Sequence, residues 1–90
     1  MKKYIVRGMC RYVARSNGDQ VEGTTLAQHE FWAMNHDLNF IKDVAALALS
    51  CPDAACGRDV TGLSDVQIVG FVMWDIIEAD TSIIVFPQKK

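Results

Sequence analysis

Residues Tyr4–Thr25 read YIVRGMCRYVARSNGDQVEGTT, two alternating runs hinged on Asn17-Gly18. Asn-Gly is a strong signal for a type I′ hairpin turn, because both central positions of that turn need positive φ. With those two residues as the loop, Ser16 faces Asp19, Arg15 faces Gln20, Ala14 faces Val21, Val13 faces Glu22 and Arg11 faces Thr24. Side chains alternate across a strand, so the two faces separate. Tyr4, Val6, Gly8, Cys10, Tyr12, Ala14 and Val21 share the face expected to meet a core. Ile5, Arg7, Met9, Arg11, Val13 and Arg15 share the other, with Gln20 and Glu22 opposite them. That second face is too basic for a core and too apolar for an ordinary solvated surface.

Composition bounds the rest. A chain of 90 residues, half hydrophobic and 22% charged, reads as a single α+β domain over 1–90. The formal net charge of −2 argues against a general nucleic-acid binder, whose balance is usually strongly basic. No stretch reaches the roughly 18 apolar residues of a membrane span. The longest candidate, Val66–Ile77, is broken by Gln67 and Asp75. Met1-Lys2-Lys3 resembles the start of a signal peptide, but Arg7 and Arg11 interrupt the apolar run that should follow. Three cysteines, Cys10, Cys51 and Cys56, are too few for a secreted disulfide scaffold and are expected to be reduced. The chain therefore reads as cytoplasmic.

After the hairpin, Thr25-Leu26-Ala27-Gln28 fits a capping box and predicts a helix. Phe31, Met34, Leu38, Ile41, Ala45 and Ala48 recur at spacings of three and four, one helical face held for several turns. Asn35-His36-Asp37 is poor helix material, so a kink or two abutting helices is expected there. Pro52 ends the element. Cys51–Thr61 reads as a loop. Ser64-Asp65-Val66-Gln67 is a second capping box, and Leu63 can staple onto Ile68.

Val66–Ile77 is rich in Val and Ile, and both templates apply to it. As a strand it puts Gln67 and Asp75 on one face but Glu78 on the other. As a helix it gathers Gln67, Phe71, Asp75 and Glu78 within about 80°. The helix is the better fit, and Ser82–Phe86 follows as a closing strand stopped by Pro87, with a frayed tail at 88–90. The expected order is β-β-α-α-β, a three-stranded antiparallel sheet with both helices on one face. Reading Val66–Ile77 as a strand gives β-β-α-β-β instead, one helix on four strands.

Catalytic and cofactor chemistry finds little support. Cys51, Cys56, His29 and His36 have zinc-binding side chains but poor spacing. The two histidines would stand about 10 Å apart along a helix. Cys56 lies two residues before Arg58, a cation that would favour its thiolate, yet no base or oxyanion site is placed beside it. Asp75 with Glu78, and Asp53 with Asp59, are ordinary surface acids. Gly57 and Gly62 form no phosphate loop. Trp32 and Trp74 each fall in an expected apolar helix and read as core. No enzyme, no metal site and no cofactor is expected.

The arginine face carries the functional expectation. Arg7, Arg11 and Arg15 stand about 13 Å apart along one strand with Ile5, Met9 and Val13 between them. Arg11 and Arg15 flank Glu22 diagonally, a weak pairing that leaves three aliphatics in water. The closing strand adds either Ile83 and Val85 or Ile84 and Phe86 to the same side. Aliphatic patches rimmed by charge commonly mark interfaces. The sequence thus points to a non-enzymatic protein-binding module acting through Ile5, Arg7, Met9, Arg11, Val13 and Arg15. Small inhibitors and accessory factors of bacteriophages and mobile elements are of this kind, and a homodimer would use the same face. The alternatives are a zinc- or thiol-dependent protein centred on Cys51–Arg58, then a binder of nucleic-acid phosphates. No membrane and no small-molecule substrate is indicated. One substitution separates the two folds: with Ser64 as a helix N-cap, Ser64→Ala costs about 1 kcal/mol in denaturant titration, and no loss marks a strand.

Overall fold

A computed structural model of the chain describes residues 1–34, 37–57 and 60–87. The expected kink at Asn35-His36, the residues His36, Arg58 and Asp59, and the tail at 88–90 lie outside these. The hairpin forms in the register read from the sequence. Strand β1 (Lys2–Ser16) pairs antiparallel with β2 (Asp19–Ala33), and all five pairs expected next to the turn are present. Asn17 and Gly18 take the positive φ values, 53° and 87°, that the turn requires. Tyr4, Val6, Gly8, Cys10, Tyr12 and Ala14 are all buried, while Arg7, Met9, Arg11 and Arg15 are exposed.

The hairpin does not stop at Thr25. Strand β2 continues to Ala33, so the helix expected from Thr25 is wrong over 25–33. Thr25, Ala27, Phe31 and Ala33 point inward at every second residue, and Phe31 stacks on its cross-strand partner Tyr4 with centroids 5.6 Å apart. Continuing an established ladder satisfies both backbone and side chains there, which a capping box at one end cannot match. Trp32, expected in a helical core, is instead exposed on this strand beside Lys3.

Helix α1 (Leu38–Leu49) is the second part of the expected helix, and it begins just after Asp37, at the end of the segment read as a kink or a junction of two helices. Asp37 is its N-cap, the carboxylate accepting from the Asn39 amide at 3.0 Å. Ile41, Ala45, Ala48 and Leu49 form its buried face and pack on Tyr4, Val6, Cys10, Ala27 and Phe31. Of the helical face read from the sequence, Phe31 belongs to β2 and Met34 is exposed in the connection. A single 3-10 turn, Pro52–Ala54, follows the helix. Ala55 then bridges to Ala27, and the Cys56 amide donates to the Leu26 carbonyl at 3.0 Å, so this segment caps part of the outer edge of β2.

Ser64–Glu78 is strand β3, not a helix. It pairs antiparallel with the far side of β1 from Glu78 opposite Tyr4 to Ser64 opposite Arg15. The pairing slips at three places, leaving Val69, Trp74 and one residue near Asp65 as extra members of β3. A bulge inserts one residue and inverts the alternation beyond it. Two inversions return Gln67 and Asp75 to the same outward face, opposite Val13 and Arg7. Glu78 ends the strand in an ion pair with Lys2 at 3.0 Å. Gln67, Asp75 and Glu78 thus keep the faces that the strand template gave them; Glu78 leaves the polar face because it ends the strand, where Lys2 receives it.

Strand β4 (Ile84–Phe86) is short, pairing only Ile77 with Ile84 and Ile76 with Phe86. Val85 and Phe86 both pack against the core, with Lys42 of α1 over the Phe86 ring, so the expected split into alternating pairs does not hold. The register shift between Ile76 and Ile77 accounts for this. The result is a four-stranded antiparallel sheet in the order β2-β1-β3-β4 with one helix on one face. The three-stranded, two-helix arrangement is thereby corrected to β-β-α-β-β. No helix among the described residues is long and apolar enough to cross a membrane.

Two substitutions test this architecture by denaturant titration. Ser64 starts a strand and is exposed, so Ser64→Ala is expected to change stability by no more than about 0.5 kcal/mol, whereas Asp37→Ala costs about 1 kcal/mol. Gly8 faces the backbone of β3, where a Cβ would overlap the Val72 carbonyl oxygen. Gly8→Ala is expected to cost about 1–3 kcal/mol by forcing β1 and β3 apart.

Candidate protein-interaction face

All six residues singled out from the sequence lie on the sheet face opposite α1, which the pairing registers resolve into cross-strand rows. Arg7 stands between Gln28 and Asp75, Met9 between Leu26 and Val72, Arg11 between Thr24 and Gly70, and Val13 between Glu22 and Gln67. Ile5 stands between Glu30 and Ile77, and Ile84 of β4 extends that row. Arg15 lies at the turn end between Gln20 and Ser64.

The three arginines are not equivalent. Arg7 and Asp75 face each other in a two-pronged pair, Nε to Oδ1 at 2.7 Å and Nη2 to Oδ2 at 2.6 Å. The hydrogen bonds, and then the carboxylate charge, push the Arg7 guanidinium further toward its charged form. Arg15 hydrogen-bonds the Gly18 carbonyl at 3.3 Å and approaches Asp65 at 4.0 Å. Arg11 has no carboxylate partner among the described residues, and neither it nor Arg15 pairs with Glu22 as the diagonal reading proposed. The face is therefore largely charge-neutral at one end, with one uncompensated guanidinium in the middle.

Its apolar part is larger than the sequence indicated. The row Leu26–Met9–Val72 runs straight across three strands with relative exposures of 53%, 38% and 62%. The bulge residues Val69 and Trp74 of the same strand are also exposed, at 50% and 47%, outside the paired rows. Ile5 and Val13, by contrast, are half-buried between their neighbours. Beside Arg11 the sheet dips where Gly70 carries no side chain, an open depression of about 300 Å3 bordered by Met9, Arg11, Thr24 and Val72. Val69, Gly70, Val72 and Trp74 went unnoticed as surface residues because a helix would have buried most of them. The signal that could have found them was the β-branched content of Val66–Ile77.

The other sequence candidates do not converge. Among the described residues no three His, Cys, Asp or Glu side chains gather as a metal ion requires. His29 is half-buried on β2 and donates through Nδ1 to the Glu30 carbonyl at 2.6 Å. Cys51 and Cys56 are exposed and unbridged, and Cys10 is buried in the core. Burial pushes the Cys10 thiol up, away from the reactive thiolate. Comparison with known protein families, with curated proteins and with solved structures finds no match for this chain.

Thiol titration checks this placement. Under native conditions, Cys51 and Cys56 are expected to react promptly with a disulfide reagent near neutral pH. Cys10 should react only when the protein unfolds, and prompt reaction of all three thiols would contradict the core described here.

Proposed function

We propose that this chain is a small non-enzymatic protein-binding module, an inhibitor or accessory factor whose partner sits on the sheet face opposite α1. The observation that carries this reading is the exposed apolar row Leu26–Met9–Val72. Monomeric proteins rarely leave a contiguous apolar patch rimmed by charge without a use for it.

Protein is favoured over a phosphate backbone by the charge pairing. Arg7 is occupied by Asp75 and Arg15 lies near Asp65, so the basic track suited to a nucleic-acid strand reduces to Arg11. Methyl and thioether groups beside one free guanidinium suit a mixed apolar and acidic protein surface.

Light scattering coupled to size exclusion, followed by capture of partners from the native host's lysate, tests this on the unmodified chain and two variants. The unmodified chain is expected to self-associate or to retain a protein partner. Met9→Asp should abolish that association at all salt concentrations, whereas Arg11→Glu should weaken it without the steep salt dependence of phosphate binding. If the chain stays monomeric and retains nothing, or if neither substitution changes its binding, the reading is wrong.

A further inference from the structure

The edge of β3 shows how a partner could engage this face. Along its whole length β3 is paired by β1, but on its other side β4 reaches only Ile76 and Ile77. Among the described residues no strand or loop backbone pairs with that side from Ser64 to Asp75. The opposite edge of the sheet is partly bridged by Ala55 and Cys56, and β4 itself is only three residues long. Unpaired edge amides and carbonyls are a template for another strand, and bulges are one device that limits such pairing. Here the bulges at Val69 and Trp74 bracket a regular window, Gly70–Met73, in step with Gly8–Arg11 of β1.

Within that window Gly70 and Val72 stand in the outer-face rows of Arg11 and Met9. A Cβ at Gly70 would meet nothing within 4 Å beyond its two chain neighbours, so no side chain of another strand crowds the position between Arg11 and the β3 edge. Strands lie about 4.8 Å apart, which puts a guest residue opposite Gly70 about 10 Å from the Arg11 backbone. An extended arginine and an extended glutamate together span that gap across a glycine. Any bulkier residue at 70 would stand between them.

We propose that a partner protein adds an extended strand to the β3 edge at Gly70–Met73, with an acidic side chain opposite Gly70 that pairs with Arg11 and an aliphatic side chain opposite Val72. The two guest residues are two positions apart, because alternate residues share a face. The backbone ladder holds the strand, and the Arg11 pair with the Val72 contact selects its sequence. This rests on the protein-binding reading and narrows it to a recognition mode.

The test is an amide-resolved NMR titration of the full chain with three short synthetic peptides of alternating Val and Thr, carrying Glu, Gln or Lys at one central Val position, so that a Val stands two residues away on the same face. The Glu peptide is expected to shift and protect amides in Gly70–Met73, the Gln peptide to bind about tenfold more weakly, and the Lys peptide weaker still. Arg11→Gln and Gly70→Leu should each cost the Glu peptide about tenfold while the Gln peptide changes little. A Cβ at position 70 meets no residue beyond its chain neighbours, and an unchanged β3–β1 register by NMR verifies the fold of both variants. Equal binding of the three peptides, or no response in β3 at millimolar peptide, overturns the proposal. If that happens while Met9→Asp still abolishes partner binding, the edge mode fails and the interaction face stands. If Met9→Asp is also silent, both fail.

Discussion

Strand β1 is paired on both sides over nearly its full length, and everything else takes its register from that constraint. Its alternation assigns the inward side chains Tyr4, Val6 and Cys10 to the helix and the outward Arg7, Met9 and Arg11 to the open face. Once both neighbours are hydrogen-bonded, neither face can be exchanged without shifting every pair by one residue. The core is small and lies under one half of the sheet, where Ile41, Ala45, Ala48 and Leu49 of α1 close over β1 and β2. Gly8 belongs to the same constraint, since the β3 backbone comes too close there for any side chain.

The mismatch between β1 and β3 shapes the open face. Strand β3 uses fifteen residues, Ser64–Glu78, for the length that Tyr4–Arg15 covers with twelve. The surplus is absorbed as bulges, which raise local twist and terminate regular pairing. Two of them display Val69 and Trp74, and between them remains the short regular window next to Arg11. The charges on this face follow the rows: Asp75 falls directly opposite Arg7 and neutralises it, while Arg11 falls opposite Gly70 and has no carboxylate partner among the described residues. An apolar row with one free guanidinium at its side is thus a consequence of register.

The first hairpin was legible because its signals agree. Asn17-Gly18 sets the turn, and unbroken alternation from Tyr4 to Val21 sets the faces. Beyond Thr25 they conflict. Leu26 and Trp32 stand outward among polar residues and blur the period of two, while Phe31, Met34 and Leu38 happen to match helical spacing across a strand, a connection and a helix start. Both capping boxes, at Thr25 and Ser64, fall within or at the start of strands, since a four-residue motif carries no long-range pairing information. In β3 the inserted residues invert the alternation only over Gly70–Met73, and the residue that made a strand look unfit, Glu78, stands at the strand end beside Lys2. Alternation along β1 puts Ile5, Arg7, Met9, Arg11, Val13 and Arg15 on one face, and they share one in the fold. The most exposed members of its apolar row, Leu26 and Val72, come from the two strands read as helices, and Arg7 loses its freedom to an aspartate that only the β1–β3 register brings near.

Residue-resolved amide hydrogen exchange distinguishes a bulged strand β3 with one open edge beside the exposed face from any other arrangement of Ser64–Asp75. With β1 bonded on both sides, its interior amides are expected to be protected throughout. Between Ser64 and Asp75, amides directed to β1 should be protected and those directed to the free edge should exchange at near-solvent rates. Uniform protection along Ser64–Asp75, with helical carbon chemical shifts or with a covered edge, would contradict the account.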